Sequence, residues 1–352
     1  MTRSLLAALT SAMCLVPAGC TDQDELPPFD FESERARIGV TRDELAPCAA
    51  DLDAIDRQVG FVEEKMRLPP RSRIDVFIMD IDELPCDGAW GCYRGAPDHV
   101  YSPWFAMEHE LSHAAMRDVD FPSTFWSEGN AELLAGTTGT RRDPNVVLTP
   151  QLLEAQELVN YVETTHFQRY LVETRGWERY ADLVRGGFDI EAVYGVTAEE
   201  LTAEYEAEAP AGYPPLDACS DPEIEQTDEG DWQVEATFSC ADASQLEGYN
   251  YSGDVGAAVH RNVWLEAGDY EVRQQGGTEV WVEGCWVDVL DTIPETLPSN
   301  GDVPNEVDRA GGFPFAADQA HVLSLTTGLY RFSMASGTED EATVSLTIRL
   351  LD

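Results

Sequence analysis

The segment His109-Glu110-Leu111-Ser112-His113 constrains this 352-residue chain more than any other. Two histidines four positions apart share one face, a turn apart, when the segment is helical. Both imidazoles then reach a single metal ion. Glu110 is rotated about 100° around the axis from His109, so its carboxylate addresses a water at an open metal position rather than the metal itself. The pattern therefore demands a helix whose polar face lines a cleft, and a second element opposite it to complete the ligand set.

A catalytic zinc site takes three protein ligands and keeps a fourth position for water. Glu128 is the third candidate, fifteen residues beyond His113 in Trp126-Ser127-Glu128-Gly129-Asn130-Ala131-Glu132. Ser127 is read as lying near the cap of a second helix, with Ala131, Leu133 and Leu134 continuing its apolar period. The loop 118–125, with Pro122, turns the chain so that the two helices face one ion. Glu132, one turn past Glu128, is assigned to orient a histidine N–H, because ligating imidazoles donate their other proton to a carboxylate or carbonyl. A rotation of the helices exchanges the two glutamates.

These two segments together resemble the gluzincin clan of zinc metallopeptidases. In that clan two histidines and a downstream glutamate bind zinc, and the glutamate inside the motif activates water. The short spacing is similar to that of small peptidase MA-like domains in exported bacterial proteins. Residues 51–59, 161–171 and 192–201 extend the likeness over about residues 40–210. The resemblance implies one Zn2+ per chain and a peptide or protein substrate. It also implies a donor for the oxygen that gains charge during attack, and Tyr161 and His166 are the candidates. In such folds a strand before the metal helix borders the cleft and offers its edge to an extended peptide; Val100 to Ser102 is the stretch that would do so, with an ordinary strand of the sheet as the alternative.

The ends bound the setting. Arg3, the apolar run Leu5 to Val16 and Pro17-Ala18-Gly19-Cys20 read as an export signal over 1–20, with Cys20 as the lipidated residue of a bacterial lipoprotein. A plain secreted protein is the alternative. Lipid-anchored, the chain faces the extracytoplasmic side of the bacterial envelope and meets a membrane only through its lipid; secreted, it carries no anchor. Residues 21–38 read as a flexible acidic spacer. With 66 acidic against 22 basic residues, net −44, the chain repels phosphate backbones, so nucleic acid is excluded as a partner. Six cysteines remain after the signal and Cys20, three on each side of the metal motif. An even number in an exported chain implies disulfides. The expected pairs are Cys219 with Cys240, and Cys48 with Cys86 or Cys92; the three-and-three split leaves either a bridge across domains or one free thiol in each.

The expected architecture is α+β, a gluzincin-like domain over 39–212 followed by a β-sandwich or jelly roll over 217–352. Helices are read over 41–67, opened by a Thr41/Glu44 capping box, and over 149–159, 161–175, 177–185 and 197–208; strands over 73–80 and 98–102, with 86–95 as a loop. Past Pro214-Pro215 the pattern turns to Gly-punctuated strands, and segments 263–272 and 323–332 echo one another as two strand, Gly turn, strand hairpins. Trp232, Trp264, Trp281 and Trp286 are read as core residues, with a carbohydrate-binding face as the alternative. The composite expectation is zinc-dependent peptide hydrolysis. Its rival is a non-catalytic envelope lipoprotein that retains a metal site and binds or adheres through its β-domain.

Overall fold

In the computed structural model, the described residues are 26–351 apart from 87–88, 97, 137–139, 143–144, 157–159, 214–215, 217–221, 242–256, 278, 285–312, 317 and 337–341. The signal and Cys20, Cys219, Cys285 and Trp286 lie outside them. The chain is a mixed α+β protein with several sheets.

The N-terminal half is built on β1 (Phe31–Glu32), β2 (Ala36–Val40), α1 (Ala49–Met66), β3 (Ile74–Ile78), β4 (Cys92–Gly95), β5 (Asp98–Ser102), α2 (Met107–Ala115) and α3 (Thr124–Ala135). It continues through β6 (Thr140–Arg141), α4 (Pro150–Leu153), α5 (Tyr161–Arg175), α6 (Trp177–Arg185), α7 (Ile190–Tyr194), α8 (Ala198–Glu208) and β7 (Gly212–Tyr213). The main sheet has the order β1-β2-β3-β5-β4. Its three central strands are parallel, and β1 and β4 run antiparallel to their neighbours. Alternate residues of the central strands, such as Ile38, Val76 and Val100, are fully buried against Ile55, Val59 and Val62 of α1 and Leu111 of α2.

Several expectations change here. The spacer assigned to 21–38 contains β1 and most of β2, because Ala36 and Ile38 alternate with Arg37 and give the sheet an apolar face. Helix α1 starts at Ala49 rather than Thr41: Ala46 is extended, as a residue before proline prefers, and the capping box belongs to Cys48 and Asp51. Residues 92–95 are a strand, not part of a loop, and they take the edge of the sheet. Strand β5 is consequently paired on both sides, with Val100 and Ser102 fully buried, so it has no edge to offer a peptide. Helix α4 is a single turn within 149–159, whose last three residues lie outside the description; α7 was not anticipated.

The C-terminal half carries β8 (Trp232–Phe238), β9 (Ala257–Leu265), β10 (Gly268–Gln275), β11 (Glu279–Gly284), β12 (Phe313–Ala316), β13 (Ala320–Leu325), β14 (Gly328–Ser336) and β15 (Ala342–Leu350). They form two four-stranded antiparallel sheets, β13-β10-β15-β8 and β12-β11-β14-β9, whose alternate residues, among them Val263, Val272, Val282, Phe332 and Leu346, share one core. The sequence echo is real but its members are not hairpins. Each turn carries the chain from one sheet to the other, so β9 pairs with β14 and β10 with β13, and Gly328 faces Leu265 as Gly268 faces Leu325. The tyrosine after each turn repeats the same bond: Tyr270 Oη donates to Glu266 O and Tyr330 Oη to Thr326 O, both at 2.8 Å. None of the described tryptophans of this half is a fully buried core residue. Trp264 is 52% exposed, while Trp232 and Trp281 are partly buried.

A disulfide joins the halves. Cys48 pairs with Cys240, and Cys86 with Cys92, in place of both expected pairings. The reason is where α1 begins: Cys48 caps it against the sandwich, Ala49 N donates to Cys240 O at 2.8 Å, and Ala50 is buried in the sandwich core. Among the described residues no helix is long and apolar enough to cross a membrane.

Candidate metal centre

Helix α2 follows a 3-10 turn at Trp104–Ala106 and is apolar on the sheet side, with Met107, Leu111, Ala114 and Ala115 buried. That leaves His109 and His113 on the face turned toward α3. Helix α3 is capped at Ser123, four residues before the expected cap, so Ser127 lies inside it. Two contacts set its angle. Gln58 of α1, buried among apolar neighbours, donates to Ser112 Oγ at 2.9 Å and to Leu134 O at 2.9 Å, tying α2 to the end of α3. On the other side α5 crosses so close to Gly129 that a Cβ there would collide with Gln168 Nε2 and sit 3.0 Å from the Thr164 backbone. Gln168 in turn donates to Phe125 O at 3.0 Å and accepts from Tyr180 Oη.

The result is a triangle of donor atoms. His109 Nε2 and His113 Nε2 are 3.1 Å apart, Glu128 Oε2 is 3.3 Å from the first, and Glu128 Oε1 is 3.5 Å from the second. Bonds of 2.0–2.1 Å in a tetrahedral zinc shell put neighbouring ligand atoms about 3.3–3.4 Å apart. The three residues fit that shell, and they are the one group among the described residues whose His, Cys, Asp or Glu atoms converge in this way. Glu132 Oε2 stands 3.1 Å from His109 Nδ1, the opposite side of the ring, and so holds Nε2 toward the triangle.

The electrostatics favour a cation. Burial pulls the His109 pKa down, yet the Glu128 and Glu132 carboxylates outweigh it and carry it up to about 10. Glu128 is held well below the usual carboxylate range: burial opposes ionisation, and the two histidines overcome it. Glu110 is buried, which raises its pKa, while His109, His113 and the Tyr93 N–H pull the other way. Three carboxylates around two imidazoles leave a site in want of positive charge.

Tyr161 opens α5 beside this group, its ring 5.9 Å from that of His109 and its hydroxyl bonded to Glu128. Burial and then the Glu128 charge raise its pKa, so it stays an O–H donor. His166 is not brought to the centre. Five residues further along the same helix it is turned about 140° from Tyr161, fully buried, with Nδ1 2.8 Å from Tyr205 Oη and its ring against Tyr213. The oxyanion assignment for His166 is therefore corrected to packing. Gln58, Gly91, Tyr93, Gly129 and Gln168 shape the centre without having been singled out in the sequence. A glutamine inside the apolar stripe Ile55, Val59, Val62 was the available signal for the first of them.

No protein-family model matches the chain, and no curated protein matches it. Among solved structures, the chain is similar in part to PliG from Aeromonas hydrophila, a periplasmic lysozyme inhibitor of g-type lysozyme. The identity is 12% over 37% of this chain and 96% of that one, with a TM-score of 0.19.

Proposed function

We propose that the protein is a zinc-dependent peptide hydrolase of gluzincin type, exported and lipid-anchored through Cys20. The observation that carries the reading is the Nε2, Nε2, carboxylate triangle with Glu132 behind His109. A divalent cation would be held by His109, His113 and Glu128 and would supply Lewis-acid chemistry toward water and the substrate carbonyl. Glu110, buried beside the two histidines, takes the proton from the attacking water and returns it to the leaving amine. The Tyr161 hydroxyl, bonded to Glu128 when no substrate is present, is the donor to the oxygen that gains charge.

The position of β4 supports a peptide as substrate. It is the outer strand of the sheet among the described residues, and its Tyr93 N–H already bonds Glu110, so an extended chain entering beside Glu110 can pair with the remaining groups of that edge. The two disulfides suit an oxidising compartment outside the cytoplasm. The test is digestion of a quenched peptide library by the zinc-loaded protein. Cleavage that a chelator abolishes and zinc restores, and that Glu110→Gln loses while still binding zinc, supports the reading. Undiminished cleavage by Glu110→Gln refutes it, and a zinc-binding wild type that cleaves no peptide favours the non-catalytic alternative.

A further inference from the structure

Gly91 immediately precedes Cys92, inside the ring that the Cys86–Cys92 disulfide closes, and it is buried against α2. A Cβ on it would lie 2.8 Å from Glu110 Cγ and 2.9 Å from Glu110 Oε1, closer than real Cβ atoms come to a neighbour. Its φ is not in the left-handed region, so the backbone itself would accept alanine. What the position denies is space alone.

The segment carrying Gly91 is anchored on both sides. The disulfide ties Cys92 back to Cys86, and β4 pairs with β5 from Cys92 onward. The Tyr93 hydroxyl donates to Asp98 Oδ1 at 2.8 Å, and its N–H favours the ionised Glu110. Asp98 is gripped by Arg71 and by Arg117, which stands just past the end of α2. Strand and metal helix are thus clamped at the far end, and Gly91 meets Glu110 at the near end as a fixed wall.

We propose that Gly91 is a positioning residue for Glu110. The disulfide-closed segment confines the carboxylate against the histidine pair, and only a residue without a Cβ leaves the room it needs. The inference rests on Glu110 being the proton acceptor. A displacement of about 1 Å at a reacting group costs on the order of 100-fold in rate.

The first test needs neither metal nor activity. Thermal unfolding of the zinc-free, disulfide-intact full chain is compared for wild type, Gly91→Ala, Glu110→Ala and the double variant. Gly91→Ala lowers the midpoint by about 3 °C or more in the wild-type background and leaves it unchanged in the Glu110→Ala background, where the clash is gone. Additive effects overturn the proposal. In the second arm, zinc-loaded Gly91→Ala loses at least about 10-fold in kcat with KM and zinc affinity within about two-fold of wild type. Glu110→Asp, shorter by one methylene, then costs less in the Gly91→Ala background than alone. Wild-type kcat in Gly91→Ala overturns the proposal. Coupled unfolding in a chain whose wild type cleaves nothing overturns the hydrolase reading instead and leaves the confinement of Glu110 standing.

Discussion

Glu132 meets His109 at Nδ1, 3.1 Å away, on the side of the ring opposite the Nε2 that faces Glu128 and His113. One helix, α3, therefore contributes both the carboxylate that completes the donor triangle and the one that sets the ring behind it. The spacing of four between Glu128 and Glu132 makes this possible, since it places both on one face.

Removing the supporting carboxylate should separate affinity from assembly. Glu132→Ala keeps the fold and the three donors but weakens zinc binding about 10- to 100-fold, read by competition with a chromophoric chelator. Unchanged affinity would show that the 3.1 Å contact does not orient His109.

The crossing of α3 and α5 depends on Gly129. Gly129→Ala pushes a methyl into Gln168 and the Thr164 backbone, and overpacking of this kind costs about 1–3 kcal/mol. Chemical denaturation of the zinc-free protein checks it; a variant as stable as wild type would mean that the helices can separate freely. Because Tyr161 rides on α5, the same variant should lose hydrolysis more than zinc affinity.

His166, packed against Tyr205 and Tyr213, supplies a pH dependence of its own. Burial, and next the Arg142 charge, lower its pKa from 6.5 to about 4, against a smaller opposing contribution from the Pro210 backbone. A depressed histidine stabilises the fold above its unfolded pKa, and that stability drains away as pH falls from about 6.5 through about 4. The full effect is about 3 kcal/mol. Measured as the stability difference between wild type and His166→Phe, wild type should lose ground steadily over that window. A difference independent of pH would place His166 in a solvated setting.

Cleaving the Cys48–Cys240 link tests how the halves are joined. It spans 192 residues of sequence, and loop entropy alone assigns such a closure about 5 kcal/mol. Cys48→Ser with Cys240→Ser should lower stability while leaving zinc stoichiometry intact, since neither cysteine touches the centre. Non-reducing peptide mapping that joins Cys48 to Cys86 or Cys92 would contradict the pairing.

Helix α2 was legible because its signal is local: His109, Glu110 and His113 carry periodicity and chemistry in five residues, and Glu128 and Glu132 do the same one helix later. Strand β5 and helices α5, α6 and α8 were also readable to within a residue, as their caps and apolar periods agree. What escaped depends on contacts distant in sequence. Cys48 could not be paired correctly without knowing that Pro47 delays α1 and brings its first turn onto the sandwich. The paired segments at 263–272 and 323–332 look like hairpins because a turn that changes sheets has the same glycine as one that does not. Tyr161 and His166 sit on one helix with similar chemistry, and only the 140° between them decides which reaches the metal centre. Gly91 and Gly129 carry no side chain by which a sequence could announce them; their role is the space they leave.

X-ray absorption at the zinc edge of the loaded full-length protein tests the central claim most directly. One zinc per chain, with a four-coordinate first shell of two imidazoles and light-atom ligands at about 2.0–2.1 Å and no sulfur, is the expected result, with one imidazole lost in His109→Ala. A shell containing sulfur, or a six-oxygen shell indifferent to His109→Ala and Glu128→Gln, would contradict a centre built from His109, His113 and Glu128.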